Sequence, residues 1–170
     1  MAKLDIEAEA KTFVQASPER VYDAFATAEG LDGWFTRGAK VDARPGGELL
    51  FRWKDWGADL IDAVAHGKVI EAKRAERFAF EWWDADPAEA TTVELTFAPA
   101  RGGTIVHVRE YGFPDTSKGR GKLAGNASGW GEALTLLRFW VEHRLGQPRG
   151  VAGAGAARRA RRGVSGLNGH

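Results

Sequence analysis

Residues 123–145 read LAGNASGWGEALTLLRFWVEHRL, and this stretch decides the fold. Its apolar residues recur at helical spacing, which predicts a long amphipathic helix. The apolar stripe of this helix comprises Trp130, Ala133, Leu134, Leu136, Leu137, Trp140 and Val141. Gly146 and Pro148 follow directly and predict the end of the helix. Because so broad an apolar stripe is unstable in water, other parts of the chain have to cover it.

The cover comes from upstream runs in which apolar and polar residues alternate. Alternation with a period of two is typical of β-strands that bury one face. The runs comprise residues 39–43, 48–54, 61–72, 77–83, 91–99 and 104–111. Short turns join them, such as Arg44-Pro45-Gly46-Gly47, so the pattern predicts an antiparallel meander.

The N-terminal region adds one strand and two short helices. Residues 4–14 alternate imperfectly and predict the first strand. Ser17 is a suitable N-cap, and Pro18 fits the first turn of a helix. Apolar residues continue at helical spacing to Phe35, and we expect Gly30 to separate the two helices.

This order of elements predicts an α+β helix-grip fold. A curved antiparallel sheet of six to seven strands around the long C-terminal helix would bury both the inner sheet face and the helix stripe. We expect one domain over residues 1–147, with a short helix pair after the first strand. Residues 148–170 consist mainly of Gly, Ala and Arg, which predicts a disordered tail.

The composition limits the function classes. The chain has 170 residues, a net charge of +1 and no cysteine, which excludes disulfides and thiolate metal sites. No stretch approaches the ~20 apolar residues of a membrane-spanning helix. We therefore expect a soluble, cytoplasmic protein without membrane insertion. The basic residues concentrate in the tail, so no specific nucleic-acid partner is expected for the folded part.

Several motifs, in this order along the chain, resemble the START-like (SRPBCC) superfamily, specifically the activator of Hsp90 ATPase homologue family. The motifs are residues 17–25, Leu31 with Trp34-Phe35, Gly46-Gly47 before Phe51, residues 67–71, residues 76–77 with 80–82, and Gly129-Trp130 with Leu134 and Leu137. The resemblance implies a cavity between the sheet and the last helix that holds lipids, polyketides or other apolar ligands. In eukaryotic namesakes it implies binding to a chaperone.

The aromatic residues are the first candidates for a ligand site. Seven tryptophans in 170 residues suit either a packed core or an aromatic pocket, and the core is the commoner use. The candidate ligand-binding residues are Trp34, Phe51, Trp53, Phe80, Trp82, Phe97, Glu110, Trp130 and Leu134. Trp83 follows Trp82 directly, so the two side chains should point to opposite faces of a strand.

Glu110 is the most informative charged residue. It shares strand parity with Val106 and Val108, so it should point inward near the start of the long helix. By the same parity, His107 should point to solvent. A buried carboxylate needs partners. Glu110 is either a polar anchor for a ligand or a structural partner of the glycine-rich segment 117–126, and the sequence leaves both readings open.

Three functions remain open from the sequence. The first is a binding protein for a small, largely apolar ligand, aromatic or lipid-like. The second is an enzyme of the polyketide-cyclase type, in which Glu110, Tyr111, His66 or Arg52 would converge on one ligand atom. The third is a module that interacts with a chaperone, by family analogy.

Other kinds of chemistry have no support in the sequence. No histidine or carboxylate pair has the close spacing of strong metal sites, and no serine lies in a nucleophile elbow. Residues 118–122 lack phosphate-loop spacing, and we expect a mobile gate or a solvated loop there. We assign no cofactor, no metal and no catalytic residue, and consider an enzyme the less favoured class.

Overall fold

A computed structural model describes residues 1–144 of the protein. Seven strands are present in this part of the chain: β1 Ala8–Val14, β2 Lys40–Val41, β3 Glu48–Trp56, β4 Ile61–Lys73, β5 Arg77–Trp83, β6 Thr91–Ala100 and β7 Gly103–Tyr111. The helices are α1 Pro18–Ala26, α2 Ala28–Trp34 and α3 Ser117–His143, with one 3-10 turn at Pro87–Glu89.

The strands form one antiparallel sheet in the order β1-β7-β6-β5-β4-β3-β2. Each strand from β2 to β7 pairs with the next along the chain, which is the meander that the alternating runs predict. β1 closes the other side by pairing with β7, where Ala8 lies opposite Glu110. The curved sheet, the long helix and the helix pair after β1 confirm the helix-grip prediction.

The core lies between the concave face of the sheet and α3. Leu95 and Val106 represent the sheet side, and Leu134 and Leu137 represent the helix stripe. All four are buried, so the helix periodicity and the strand alternation meet in one hydrophobic core. Among the described residues, no helix is long and apolar enough to cross a membrane.

The helix pair begins as predicted but divides at a different residue. The Ser17 hydroxyl accepts the backbone N–H of Arg20 and caps α1. Thr27 ends α1 and caps α2, because its hydroxyl accepts the N–H of Gly30 at 2.9 Å. The predicted break at Gly30 is therefore wrong. Gly30 lies inside α2, where a Cβ would come within 2.4 Å of the Asp23 carbonyl, so close packing requires glycine.

The long helix begins earlier than the sequence predicts. It starts at Ser117 rather than near residue 123, because Thr116 accepts the N–H of Gly119 at 3.0 Å and caps it. The predicted loop or gate at residues 118–122 is wrong, since these residues form the first turns of α3. Two ion pairs hold these turns: Lys118 with Glu89, and Lys122 with Asp84.

The helix ends at His143, and Arg144 follows with a left-handed φ of 58°. The predicted helix end at residues 145–146 and the predicted tail at 148–170 lie outside the described residues.

Candidate functional site

A cavity of about 350 Å³ opens between α3 and the strands β3, β4 and β5. Six aromatic side chains form most of its wall: Phe35, Trp53, Trp56, Trp82, Trp83 and Trp130. The polar side chains at its border include Asp84 and Lys122, which form an ion pair at 2.9 Å. The wall is thus mainly aromatic, with a charged pair on its border.

Small residues on β4 create part of this space. Ala63 lies opposite Trp53 in the strand pairing, and Gly67 lies opposite Trp82. Ala65 also faces the cavity. Because β4 carries small side chains between two tryptophan-bearing strands, the concave face is hollow at this point.

Glycines on α3 leave room on the opposite wall. Gly125 and Gly129 are one helical turn apart and both border the cavity. A Cβ built on either glycine would have no heavy atom within 4 Å. Glycine costs helix stability relative to alanine, by roughly 0.5–1 kcal/mol per residue. Nothing in the packing demands glycine here, so these two residues keep the cavity open at the expense of helix stability.

The aromatic rings of the wall meet at varied angles. Phe35 lies 5.3 Å from both Trp53 and Trp56, with interplanar angles of 78° and 82°. Trp82 and Trp130 instead stack at 5.5 Å with an angle of 27°. Such pairs add about 0.5–1.5 kcal/mol each beyond area burial, so the wall is held by its own ring contacts.

Glu110 lies behind this wall and is 0% exposed. Its Oε1 accepts from the Thr91 hydroxyl at 2.6 Å and from Trp82 Nε1 at 2.8 Å. Its Oε2 accepts from Trp130 Nε1 at 2.8 Å, and Asn126 Nδ2 donates to both oxygens at 3.0 and 3.2 Å. The inward orientation predicted from strand parity is confirmed.

All four donors to Glu110 are neutral groups. No cationic side chain within residues 1–144 forms an ion pair with it. These hydrogen bonds give the buried carboxylate the partners that a buried polar group needs. They do not neutralise its charge. Two of the donors, Trp82 and Trp130, also form the cavity wall, so Glu110 fixes the position of that wall.

The structure brings three of the sequence candidates directly to the cavity: Trp53, Trp82 and Trp130. Glu110 accepts hydrogen bonds from two of them, Trp82 and Trp130, on the side of the wall away from the cavity. The remaining five candidates are buried in the core: Trp34, Phe51, Phe80, Phe97 and Leu134.

Sequence reasoning missed several residues of the cavity wall, among them Trp56. The alternating pattern predicts a strand that ends at residue 54, whereas β3 continues to Trp56 through a bulge. Residues three apart in a regular strand point to opposite faces. The bulge, with Asp55 at a φ of 52°, brings Trp56 to the same side as Trp53. Phe35, Trp83, Gly125, Asn126 and Gly129 also border the cavity without having been predicted.

The groups proposed for cyclase-type catalysis do not converge. Tyr111 points away from the core, and its hydroxyl donates to Glu94 at 2.9 Å. Burial raises the pKa of Tyr111, with the hydrogen bond to Glu94 as the second cause. Arg52 and His66 are exposed on the convex face of β3 and β4. Glu110 alone points to the concave side, so these four groups cannot act on one ligand atom.

His107 also lies on the outer side of the sheet, as its parity predicts. Its Nε2 is 2.5 Å from Glu9 Oε1, and it is far from the cavity wall. Within the described part of the chain, no group of histidine and acidic side chains is arranged to hold a metal ion.

Comparison with known proteins identifies the family. The family described as "Activator of Hsp90 ATPase homolog 1-like protein" matches residues 15–142, which is most of the chain. The chain belongs to this family. No functionally curated protein matches the chain at a significant level. The family resemblance that the sequence motifs carry is thereby confirmed.

Solved structures share the fold of this family member. The Aha1 dimer from Colwellia psychrerythraea is 20% identical, with a TM-score of 0.70, covering 83% of this chain and 99% of that one. A protein from Chromobacterium violaceum is 25% identical, with a TM-score of 0.67, covering 80% and 97%. DynU16, from the dynemicin biosynthetic locus, is 16% identical with a TM-score of 0.69, covering 82% of this chain and 48% of that one.

Proposed function

We propose that this family member binds a small, largely apolar ligand, aromatic or lipid-like, in the cavity between the sheet and α3. The observation that carries the proposal is the aromatic wall around a hollow of about 350 Å³. Ligand sites are typically clefts of roughly 300–1,000 Å³ with mostly apolar walls and a few polar groups. The size and the lining of this cavity both fit that description.

The proposed contacts come from the strands and from α3. Trp53, Trp82 and Trp130 would supply ring surface to the ligand, together with the unpredicted Trp56. The glycines at positions 125 and 129 would admit ligand atoms close to the helix backbone. Trp34, Phe51, Phe80, Phe97 and Leu134 would support the cavity from the core, and Glu110 would hold two of the wall indoles in place.

The two border charges suggest how a ligand would be oriented. Lys122 Nζ and Asp84 Oδ2 form an ion pair at 2.9 Å. Asp84 lies at the end of β5, and Lys122 lies near the start of α3. A ligand that enters past them would place its apolar part against the rings and its polar end near the pair. Convergent polar groups at one end of an apolar site commonly fix ligand orientation in this way.

Tryptophan fluorescence provides the direct test. Five of the seven tryptophans border the cavity, so an aromatic or lipid-like occupant should change their emission. We expect saturable changes when purified protein is titrated with a panel of polyphenols, fatty acids and sterols, and with the neutral fluorophore N-phenyl-1-naphthylamine. Native mass spectrometry of the purified protein should reveal any molecule that copurifies. The absence of saturable binding across the panel would contradict the proposal.

A chaperone-interacting role is the second candidate, and the family match favours it. The matching family is named after an activator of the Hsp90 ATPase, and a structural relative from Colwellia is an Aha1 protein. We expect a protein of this class to raise the ATPase rate of an Hsp90-type chaperone when added in excess. An unchanged rate at saturating protein would remove this candidate without affecting the ligand proposal.

A further inference from the structure

We infer that the cavity prefers a positively charged organic ligand, such as an aryl or alkyl quaternary ammonium compound, over a neutral ligand of the same shape. This inference rests on the proposed function, because it names the ligand class of the same cavity. Its basis is the juxtaposition of an aromatic wall with a buried carboxylate that has no cationic partner within residues 1–144.

Glu110 places an uncompensated charge behind the cavity wall. The carboxylate is 0% exposed, so water screens its field less than at the surface. Its five hydrogen bonds come from Thr91, Trp82, Trp130 and Asn126, none of which carries a positive charge. The negative charge therefore extends its field into the neighbouring cavity, where a ligand cation could compensate it.

Two indoles lie between Glu110 and the cavity. Trp82 and Trp130 both direct their N–H groups to the carboxylate. These two donors are consumed, so they cannot serve an acceptor group on the ligand. Donation to an anion also makes each indole ring more electron-rich. Both effects disfavour an anionic or acceptor-rich ligand next to these rings.

The rings of the wall are steeply inclined to one another. Phe35 is nearly perpendicular to Trp53 and Trp56, while Trp53 meets Trp82 at 70°. These pairs are edge-to-face contacts within the wall, so the rings meet the cavity in different orientations, and the negative faces of the rings that border it attract an organic cation.

Charges at the border do not offset this preference. Lys122 is the one cationic side chain among the described cavity-lining residues, and Asp84 pairs with it. Glu132 lies close by, since its carboxylate is 3.6 Å from the position of a Cβ on Gly57, which follows Trp56. The lining residues thus hold one carboxylate and one cation that pair with each other, so the charge of Glu110 is the one that this border leaves uncompensated.

A matched pair of probes tests the inference. Phenyltrimethylammonium and tert-butylbenzene have the same shape and differ in charge. Their dissociation constants should be measured by tryptophan fluorescence on the wild-type protein. We expect the cation to bind at least about tenfold more tightly, as cation–π attraction and the Glu110 charge both favour it. Equal or tighter binding of tert-butylbenzene would overturn the inference and leave the proposed function standing. Failure of both probes to bind would overturn the inference, and the panel titration decides the proposed function separately.

Two variants identify the source of the preference. Glu110→Gln removes the buried charge, whereas Glu81→Gln removes a charge from the convex face beside Trp82. In folded Glu110→Gln protein, the preference for the cation should fall to about threefold or less, and Glu81→Gln should retain it. A full tenfold preference in Glu110→Gln would overturn the role of the carboxylate. Should Glu110→Gln fail to fold, the wild-type probe comparison decides the inference by itself.

Discussion

At the scale of single residues, Glu110 links the fold to the cavity. A carboxylate that is buried without a cation is stable only if several donors converge on it. Here Thr91 comes from β6, Trp82 from β5, and Asn126 and Trp130 from α3. One side chain of β7 thereby ties β6 and, beyond it, β5 to the helix that the sheet surrounds.

Glu110→Gln should lower the free energy of unfolding by about 1–3 kcal/mol. The NH2 group of the glutamine would face donors that now donate to a carboxylate oxygen of Glu110. At least one buried donor would then lack an acceptor, which costs about 1–3 kcal/mol. Urea denaturation measures the change. Glu81→Gln serves as the control and should stay within about 0.5 kcal/mol of wild type, because Glu81 is exposed. A Glu110→Gln protein as stable as wild type would show that the buried network has no structural role.

Glu7 gives a pH-dependent prediction. The hydrogen bond from Arg109 Nε, at 2.9 Å, lowers the pKa of Glu7 below its ordinary value of 4.5. A carboxyl with a lower pKa in the folded state stabilises the protein above its unfolded pKa. This contribution is lost as the pH falls through the folded pKa.

The variant Glu7→Gln should be less stable than wild type by about 0.2–1 kcal/mol at pH 7, the usual value of a solvent-accessible ion pair. The difference should shrink as the pH falls below 4.5 and vanish in stronger acid. Thermal melting across this pH range provides the measurement. Glu48→Gln, at an exposed site of β3, should show no such trend. A difference that stays constant with pH would mean that the ion pair is not its cause.

At the scale of elements, α3 contributes both to the core and to the cavity. Trp130 is 3% exposed, and Phe139 on the same helix is 47% exposed. Trp130→Ala should therefore lower the free energy of unfolding by roughly 3–5 kcal/mol, as buried aromatic truncations do. Phe139→Ala should change it by less than about 0.5 kcal/mol. Chemical denaturation of both variants is the measurement, and equal losses would mean that the helix faces are assigned wrongly.

The bounds of the strands and helices show which structural features the sequence predicts and which it does not. The alternation of β6 identifies residues 91–99, since one face of this strand is buried against the core. The start of α3 was missed because its first turns contain Gly119 and Gly121, and glycine has a low helix propensity. Capping by Thr116 and ion pairs to distant residues override that preference, and such tertiary contacts are not visible in local sequence.

At the scale of the whole molecule, the sheet covers α3 over most of its apolar stripe but leaves a hollow near its N-terminal half. Periodicity predicts which residues face inward, so Trp53, Trp82 and Trp130 could be named as candidates from the sequence. It does not predict how much space remains between two packed elements. That space depends on small residues such as Gly129, whose contribution becomes apparent only once the helix lies against the sheet.

The ligand binding that we propose requires empty space in this hollow, so a side chain that fills the hollow should prevent it. Gly129→Leu places a side chain into the cavity, where a Cβ meets no atom within 4 Å. Gly131→Leu adds the same side chain to an exposed site of the same helix and is the matched control. Both replace a helical glycine, so neither should lower the melting temperature.

The measurement is the dissociation constant of N-phenyl-1-naphthylamine for wild-type protein and for these two variants. We expect Gly131→Leu to bind like wild type. Gly129→Leu, although folded, should bind at least about tenfold more weakly, a loss of about 1.4 kcal/mol in binding free energy. Undiminished binding by folded Gly129→Leu would contradict the proposal that the ligand binds in this cavity.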